Sequence, residues 1–428
     1  MARLRVGILG CGNIAAIMAE TIRKTRGFQL YAVASRNEYK AAGFAGKEGA
    51  RKAYGSYEEL LKDPKVDLVY IATPHSEHYA HAKMCIEYGK PCLVEKAFTV
   101  NEQQTRELLR LAEEKKVFIT EAIWTRYMPF VQTMREVIDS GVIGQPVQLS
   151  GNLGYSMKHK QRLIDPALAG GALLDVGVYP LNFAAMLFGT DLLRIEASCT
   201  YTDQHLDEQE NITLIYRDGR MATLSASMLG LTDRSGTIVG TEGCLVVENI
   251  NNFEQMTLYG KDHKKQKVYK RPRQITGYEY ELQACKRTLE NGLLECPEMP
   301  HEETIRMMRI CDIIRREMGV IYPFENGSIP DPEEQGGTAP VTLADPLETA
   351  EEEKKADQLQ SMGTSCEISA EGETAAAAEC TEMNSTEGNS TETKCAVAES
   401  ETAVNTEEEV PAADTPASEA ASKETEQE

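Results

Sequence analysis

The first part of the chain alternates short apolar runs with longer segments in which apolar positions recur at helical spacing. Leu4–Leu9 and residues 67–72 are nearly continuous apolar runs, which is typical of buried parallel strands. Shorter runs at residues 29–35, 91–94 and 117–120 follow the same pattern, with amphipathic and capped segments between them. This alternation predicts an α/β fold whose N-terminal domain is a doubly wound parallel sheet.

After residue 122 the pattern changes to segments in which apolar and polar positions alternate. Strands are predicted at residues 148–155, 193–201, 212–216, 221–228, 237–239 and 245–248. Asp218-Gly219, between two of them, is a strong hairpin signal. Helices are predicted at residues 130–139, 278–290 and 302–318. We therefore expect a C-terminal α+β domain with a large, mostly antiparallel open-faced sheet, which a second subunit covers in a homodimer or homotetramer.

Charge divides the chain unevenly and suggests a third region. Residues 331–428 hold 26 of the 67 acidic residues but only 4 of the 45 basic ones, so they account for the whole net charge of −22. This region lacks aromatic residues and cannot bury enough apolar surface to offset its ordering entropy. The expected organisation is a cofactor-binding domain at residues 1–122, a substrate and oligomerisation domain at 123–330, and a disordered acidic tail.

Several classes of protein do not fit this composition. The eleven cysteines show neither CxxC spacing nor cysteine–histidine pairs at zinc spacing, so we expect no metal site and no disulfide framework. No apolar run approaches transmembrane length, and the N-terminus lacks a signal core. A neutral body with an acidic tail argues against nucleic-acid binding. We expect a soluble protein of the cytoplasm with no membrane partner.

The strongest chemical motif follows the first predicted strand. The residues Gly10, Cys11, Gly12, Asn13, Ile14 and Ala15 form a GxGxxA turn between that strand and a helix. The first glycine permits a tight turn, the second lets the backbone approach a pyrophosphate, and the alanine keeps the helix near the sheet. The helix N-terminus would bind the phosphates, so the motif predicts a dinucleotide-binding domain.

The end of the second strand bears on the choice of nucleotide. NAD enzymes usually place an acidic residue there, whereas this chain has Ser35 and Arg36. A serine hydroxyl and a guanidinium can bind a 2′-phosphate, which favours NADP. In the other interpretation Arg36 is a solvated cation and Glu38 binds the ribose of NAD.

Polar residues also follow the later strands, at the edge where such sheets bind ligands. They are Thr73, Pro74 and His75, then Glu95 and Lys96, and finally Glu121. We expect them around the nicotinamide end of the cofactor. Lys96 is the favoured candidate to hold a substrate hydroxyl, although it could simply pair with Glu95 at the rim.

Two further segments could contact the substrate. Trp124 and Arg126 combine an aromatic ring with a bidentate polar group, which suits a sugar or diol, although a linker packed at the domain junction is equally plausible. Asp175 and Tyr179 stand four residues apart after a pair of glycines, so they would share a helix face. They could act in proton transfer, with Lys96 lowering the phenol pKa, or they could be one surface and one core residue.

The motifs together resemble the glucose-fructose oxidoreductase and inositol dehydrogenase (Gfo/Idh/MocA) family, over about residues 1–326. The segments that carry the resemblance are GILGCGNIA, IATPHSEHYAHAKMCIEYGKPCLVEKAF, EAIWTRYMP, GGALLDVGVYP, GTEG and MPHEETIRMM. Within that family, the dihydrodiol dehydrogenase subgroup, which is also NADP-linked D-xylose dehydrogenase, is the nearest in pattern. This chain departs from the family in having Ala97 where the family has proline, and its acidic tail after residue 330 has no counterpart in the family pattern.

The resemblance implies roles for individual residues. Lys96 would contact the nicotinamide ribose and the reacting hydroxyl, Asp175 would orient the substrate, and Tyr179 would be the acid/base group. The cofactor-binding residues implied or proposed are Gly10, Cys11, Gly12, Asn13, Ile14, Ser35, Arg36, Thr73, Pro74, His75, His78, Glu95 and Lys96. The substrate would contact Trp124, Arg126, Asp175 and Tyr179.

The function expected from these assignments is hydride transfer between NADP and a carbinol of a sugar or cyclic trans-diol. Three alternatives remain at this stage. The chain could be an NAD-linked inositol or other sugar dehydrogenase. It could instead be an NAD-dependent glycoside hydrolase of the same fold, or a non-catalytic nicotinamide-binding regulator.

Overall fold

The computed structural model describes residues 3–325, so the tail predicted at residues 331–428 lies outside the described residues. The first layer contains six strands, β1 (Leu4–Leu9), β2 (Phe28–Ala34), β3 (Lys52–Tyr54), β4 (Leu68–Ile71), β5 (Cys92–Glu95) and β6 (Ile119–Ala122). Its helices are α1 (Asn13–Lys24), α2 (Glu38–Glu48), α3 (Tyr57–Lys62), α4 (His75–Glu87) and α5 (Glu102–Lys115). The strands pair in parallel in the order β3-β2-β1-β4-β5-β6, which confirms the predicted doubly wound sheet.

Both faces of this sheet are buried, which is why its strands are continuous apolar runs. In β4, Leu68 and Tyr70 belong to one hydrophobic cluster, whereas Val69 and Ile71 belong to a second. Successive side chains of a strand point to opposite faces, so the two clusters lie on opposite sides of the sheet. The short strand β3 was not predicted, because three residues are too few to show a periodic pattern.

The second sheet has eight strands, β7 (Pro146–Gly154), β8 (Leu192–Tyr201), β9 (Asp207–Tyr216), β10 (Met221–Ser227), β11 (Gly236–Gly240), β12 (Gly243–Val247), β13 (Gln255–Gly260) and β14 (Lys265–Lys270). Their order is β14-β13-β12-β11-β7-β10-β9-β8. Only β7 and β10 pair in parallel, so the predicted mostly antiparallel sheet is confirmed. The predicted hairpin is present, with Gly219 at a φ of +88° between β9 and β10.

The helices of this region are α6 (Phe130–Asp139), α7 (Gln161–Ile164), α8 (Val178–Phe188), α9 (Glu279–Glu290) and α10 (His301–Glu317). Helix α8 packs on β7 and β10, and is buried along nearly its whole length. A π-helical turn at Leu173–Gly177 precedes it and carries Asp175. The sequence predicts a plain helix here, and the difference matters because π turns are frequent at functional sites.

The segment Pro166–Phe188 corrects one expectation from the sequence. It spans 23 residues and meets the length and composition of a membrane-crossing helix, although no such run was predicted. Within the protein, 89% of its most apolar window is buried. The core helix of a soluble protein passes the same test, so this segment is weak evidence for a membrane span.

The last described helix returns to the first sheet's layer. α10 packs against α5, where Asp312 accepts a hydrogen bond of 2.8 Å from the backbone N–H of Glu102. Arg315 is 1% exposed and pairs with both Asp312 and Glu325. Asp312 thus connects this ion-pair network of the second half to the first half through one hydrogen bond, in addition to the polypeptide linker.

Candidate active site

The glycine turn after β1 has the geometry of a phosphate-binding loop. Gly10 has a φ of +99°, and a Cβ there would lie 2.5 Å from the backbone oxygen of Ala72, so glycine is required. Gly12 directly precedes Asn13 and Ile14 of α1, and a Cβ at Gly12 would meet no atom within 4 Å. No side chain caps α1. The positive end of the helix dipole therefore faces open space in which an anion fits.

Basic and hydroxyl groups lie beside this turn. Ser35 follows β2 and is 9% exposed, whereas Arg36 is exposed and its charge acts on Tyr57 of α3. Burial raises the pKa of the Cys11 thiol, and the ammonium of Lys40 opposes that rise, so Lys40 also lies near the turn. The sequence analysis did not single out Lys40, because nothing in its helical position distinguishes it from a solvated cation.

His78 joins two loops at the carboxyl edge of the first sheet. Thr73 and Pro74 lead into α4, which begins at His75. Nε2 of His78 lies 2.8 Å from the carbonyl oxygen of Thr73, and Nδ1 lies 2.8 Å from that of Ala97. Burial lowers the pKa of His78 to about 4, so the neutral ring donates to one of these carbonyls. The ring links the loop after β5 to the end of β4.

An ionic cluster lies where the two halves of the chain meet. Nζ of Lys96 donates to the backbone oxygen of Asp175 at 2.6 Å and to its Oδ1 at 3.0 Å. Arg162 of α7 donates to both carboxylate oxygens, at 3.0 and 3.1 Å. Burial alone raises the pKa of Asp175, but Lys96 and Arg162 outweigh it and hold that pKa well below its usual range. The carboxylate stays ionised between two cations.

His75 adds a neutral imidazole to this cluster. Its Nδ1 lies 3.1 Å from the carbonyl oxygen of Ala169, and its Nε2 lies 4.0 Å from Oδ1 of Asp175. Burial, reinforced by Lys96, lowers the pKa of His75 to about 3. Because the carbonyl can only accept, Nδ1 carries the proton and Nε2 is an acceptor. His75 can therefore receive a hydrogen bond from a substrate hydroxyl next to Asp175.

Tyr179 lies beside the same lysine, but not in the way the sequence predicts. Nζ of Lys96 is 5.3 Å from the centroid of the Tyr179 ring, over its face. Burial raises the pKa of Tyr179 well above its usual value, and the negative groups Glu95 and Asp175 raise it further. The pKa of Tyr179 is therefore raised overall rather than lowered, because desolvation of the phenolate outweighs the nearby cation.

Trp124 packs next to Tyr179. Its ring stacks on that of Tyr278, with a centroid distance of 4.1 Å and an interplanar angle of 4°. The indole N–H lies close enough to the Tyr179 hydroxyl to oppose its rise in pKa, yet it forms no hydrogen bond of good geometry. An unpartnered buried donor is unusual and suits a site that a ligand oxygen completes.

Arg126 is not brought to this cluster. It is 8% exposed, and its guanidinium donates to Asn182 of α8 and, at 2.7 Å, to Glu303 of α10. The structure therefore does not present Arg126 to a substrate, because both ends of its planar group are used to join α8 and α10. The sequence could not show this pairing, since its partners lie 56 and 177 residues away.

Two glutamates at the strand ends face the interior. Glu95 is 6% exposed and accepts hydrogen bonds from the hydroxyl of Tyr70 and from the backbone N–H of Lys96. Burial raises the pKa of Glu95 to about 7, and burial raises the pKa of Glu121 to about 7 as well. Each carboxyl group therefore gains or loses a proton near neutral pH, directly behind the lysine cluster.

Arg162 is the functional candidate that the sequence analysis missed. It precedes Asp175 by thirteen residues and lies in a separate short helix, so no periodic pattern links the two. A basic residue just before a glycine-rich segment is the only signal, and it is too common to be specific.

Comparisons with known proteins identify the family. Residues 4–122 match the model of an oxidoreductase family with an NAD-binding Rossmann fold, and residues 131–246 match the GFO/IDH/MocA C-terminal domain. Trans-1,2-dihydrobenzene-1,2-diol dehydrogenase from Bos taurus is 32% identical over 330 residues, which cover 75% of this chain and 98% of that protein. The Homo sapiens enzyme of the same name is 31% identical, with the same coverage.

Solved structures show the same fold. A 3-ketoreductase from Actinomadura kijaniata, determined with NADP and TDP-benzene, has a TM-score of 0.69 at 24% identity and covers 74% of this chain and 98% of its own. An aldose-aldose oxidoreductase from Caulobacter crescentus, determined with glycerol, has a TM-score of 0.67 at 18% identity. The match covers 74% of this chain and 97% of that one. The chain thus belongs to the GFO/IDH/MocA family of oxidoreductases, as the resemblance of its motifs predicts.

Proposed function

We propose that this protein is an NADP-dependent dehydrogenase acting on a carbinol of a sugar or a cyclic trans-diol. The observation that carries the proposal is the contact of Lys96 with Asp175 beside Tyr179, at the carboxyl edge of the dinucleotide-binding sheet. A cation, a carboxylate and a phenol together can bind a diol and exchange a proton with it. The dihydrodiol dehydrogenases named above support this substrate class.

The described residues fit NADP. The open N-terminus of α1 at Gly12 suits the pyrophosphate, and Ser35, Arg36 and Lys40 together suit a 2′-phosphate. No acidic residue ends β2 to bind an unmodified ribose. We further propose that residues 1–122 form the cofactor domain, with residues 123–330 supplying the substrate contacts.

The proton chemistry follows from the charges around the reacting oxygen. NADP, when bound, supplies the nicotinamide that accepts or returns the hydride. Lys96 is held by Asp175 and can donate a hydrogen bond to the substrate oxygen. In the reducing direction the neutral Tyr179 phenol gives its proton to that oxygen, and in the oxidising direction the phenolate takes the proton back while the Lys96 ammonium stabilises it.

Substrate orientation is assigned to the surrounding side chains. Asp175 accepts a hydrogen bond from one substrate hydroxyl, and Nε2 of His75 accepts a hydrogen bond from another. The indole N–H of Trp124 donates a hydrogen bond to a third substrate oxygen. Because Arg162 and Lys96 both neutralise Asp175, the carboxylate can remain charged without water. An uncharged polyol matches this set of donors and acceptors.

The test is calorimetric titration of the purified chain with NADPH and with NADH, repeated on Arg36→Ala and Lys40→Ala. We expect the wild type to bind NADPH more tightly than NADH. Each substitution should weaken the affinity for NADPH by about ten-fold and leave the affinity for NADH nearly unchanged. An NADP-linked assay with aldoses and cyclic diols follows. Equal binding of both nucleotides contradicts the cofactor assignment, and bound nucleotide that never exchanges contradicts a dehydrogenase with free cofactor.

We also propose that the outer face of the eight-stranded sheet joins two or four copies of the chain. That face exposes the apolar side chain of Met221 and a groove of about 600 Å³ between β8, β9, β10 and the loop at Leu231. Leu231 is 80% exposed. Light scattering on the wild type and on Leu231→Glu tests this, since a monomeric wild type contradicts it.

The location proposed for the protein is the cytoplasm. All eight cysteines in the described part of the chain are free thiols, which fits a reducing compartment. Fractionation of cells that express the full chain, with the protein found in the soluble cytoplasmic fraction, is the expected result.

A further inference from the structure

Two buried acidic residues lie beneath the π-helical turn that carries Asp175. Asp207 is fully buried and Glu210 is 2% exposed. Oδ2 of Asp207 accepts a hydrogen bond of 2.6 Å from the backbone N–H of Leu173, the first residue of the turn. The two carboxyl groups also lie close enough to act on each other electrostatically. The pair is thus attached directly to the turn.

A β-bulge puts both side chains on the same face of the sheet. Asp207 pairs with Tyr201 of β8, but the next paired residue, Gln209, faces Thr200, so Glu208 is an extra residue in the ladder. Without the bulge, positions 207 and 210 would point to opposite faces. With it, Glu210 continues a row of inward positions that is otherwise apolar. An acidic residue in such a row calls for a specific reason.

Glycines on either side of Asp175 make room for these carboxyl groups. A Cβ at Gly171 would lie 2.3 Å from Oδ1 of Asp207, and a Cβ at Gly177 would lie 2.0 Å from Oε1 of Glu210. Both distances are shorter than real Cβ contacts, so a side chain at either position would require the facing carboxyl group to move. The glycines and the acids therefore fit one another as a unit.

Within residues 3–325, no basic side chain forms an ion pair with Asp207 or Glu210. The titratable groups that act on it electrostatically from the neighbouring elements are Cys199 and Tyr201 of β8, Cys311 of α10, and Tyr322. All of these are neutral or negative. Oδ1 of Asp207 and both carboxyl oxygens of Glu210 accept no hydrogen bond from any donor in the described part of the chain. Two bare carboxylates in contact without a cation would be strongly unfavourable, and burial together with Asp207 raises the pKa of Glu210 well above its usual value.

We propose that Glu210 keeps its proton in the working enzyme and donates it to Asp207, so that the pair acts as a positioning device for the turn that carries Asp175. Asp207 then holds the N–H of Leu173, which fixes the direction in which Asp175 meets Lys96 and Arg162. Glu210 and Asp207 are buried beneath the turn, and we assign them no contact with substrate or cofactor. Their effect on turnover rests on the function proposed above, whereas their effect on the turn does not.

The two variants that test this proposal differ in whether the side chain at position 210 can donate a hydrogen bond to Asp207. Glu210→Gln keeps a hydrogen-bond donor beside Asp207, and Glu210→Leu removes it at similar volume. Hydrogen–deuterium exchange of the peptide around residues 170–180 reports the turn directly. We expect the Glu210→Leu variant to increase the exchange rate of this peptide by at least several-fold and the Glu210→Gln variant to leave it unchanged. The exchange rate of the peptide that contains α1 should be the same in both variants as in the wild type.

Turnover provides the second readout. We expect kcat of Glu210→Gln to stay within about two-fold of the wild type near neutral pH, and kcat of Glu210→Leu to fall by about ten-fold or more at an unchanged NADPH affinity. The ratio of Gln to wild-type kcat should rise only at pH values where the wild type loses the shared proton. A Gln variant impaired as severely as Leu overturns the proposal.

Folding stability separates this proposal from the proposed function. Since the folded-state pKa of Glu210 is raised, the wild type loses stability as the pH rises above the ordinary glutamate pKa, and Glu210→Gln does not. The difference between the Tm of Glu210→Gln and the Tm of the wild type should therefore grow as the pH rises from about 5 to about 9. A Tm difference between Glu210→Gln and the wild type that stays constant with pH contradicts the shared proton, even if no substrate is ever found. This comparison does not depend on whether the Glu210→Leu variant folds.

Discussion

Nζ of Lys96 lies 2.6 Å from the backbone oxygen of Asp175 and 3.0 Å from its Oδ1, so one ammonium group bridges the rim of the first sheet and the turn beneath the second. Each half of the chain supplies one partner. The contact therefore forms only when both halves are folded and docked. It also explains why neither residue can be assigned a role from its own segment alone.

Replacing Lys96 with Met should abolish most of the activity without unfolding the protein. The reacting oxygen loses its hydrogen-bond donor and Asp175 loses one of its two cations, so kcat should fall by about 10²- to 10⁴-fold. The measurement is steady-state turnover, with NADPH affinity as a check on folding. Lys83→Met, which removes an ion pair with Glu107 on the surface of α4, is the matched control and should retain full activity. Near-normal turnover of the Lys96 variant contradicts the assignment.

Tyr179→Phe tests the proton donor separately. The substitution keeps the buried ring under Lys96 but removes the hydroxyl, so reduction should slow by about 10²-fold while KM for the substrate changes little. A variant in which KM rises and kcat stays constant would instead show that the hydroxyl only binds substrate.

Arg162→Ala should change the acid side of the pH profile. Arg162 lowers the pKa of Asp175, so its removal raises that pKa, and the loss of activity on acidification should begin at a higher pH than in the wild type. Arg162→Lys should restore part of the shift, because it restores the charge but not the two-point contact. Lys160→Ala, in the same loop, should leave the profile unchanged. An identical acid limb in Arg162→Ala would argue against a role for this residue.

The two glycines of the first turn should behave differently when changed to alanine. At Gly10 the new Cβ meets the backbone oxygen of Ala72 and the φ is positive, so both stability and nucleotide binding should decline. At Gly12 the Cβ meets no protein atom, so Tm should be nearly unchanged while NADPH binding weakens by about ten-fold or more. Thermal unfolding and calorimetry distinguish the two, and full NADPH affinity in Gly12→Ala would contradict the phosphate assignment.

Arg315→Met should destabilise the body of the protein. The guanidinium is 1% exposed and pairs with Asp312 and Glu325, so its loss leaves buried carboxylates without a cation, at a cost of about 3–5 kcal/mol. Denaturant unfolding measures this free energy. Arg110→Met, which removes an exposed pair with Glu114, is the control and should cost only a small fraction of it.

The parts predicted correctly are those with a local signal. The apolar run and glycine turn around Gly10 predict the parallel sheet, and alternation predicts the antiparallel one, because burial and backbone conformation act over a few residues. Family resemblance added Lys96, Asp175 and Tyr179 as one group. The structure brings these three together.

The parts that could not be predicted depend on contacts between distant segments. Arg162 reaches Asp175, and Arg126 turns away to Glu303, through partners that no spacing reveals. The pKa of Tyr179 rises rather than falls because desolvation depends on everything packed around it. The bulge that turns Glu210 inward is likewise a property of the paired strands and not of β9 alone.

The stack of Trp124 on Tyr278 has an optical consequence. Trp124 is the only tryptophan in the whole chain, and it is 5% exposed beside Tyr179. All indole emission from the protein therefore originates within van der Waals reach of the proposed reaction centre. A reduced nicotinamide bound there would accept that emission by energy transfer, so the chain carries its own intrinsic, label-free reporter of occupancy.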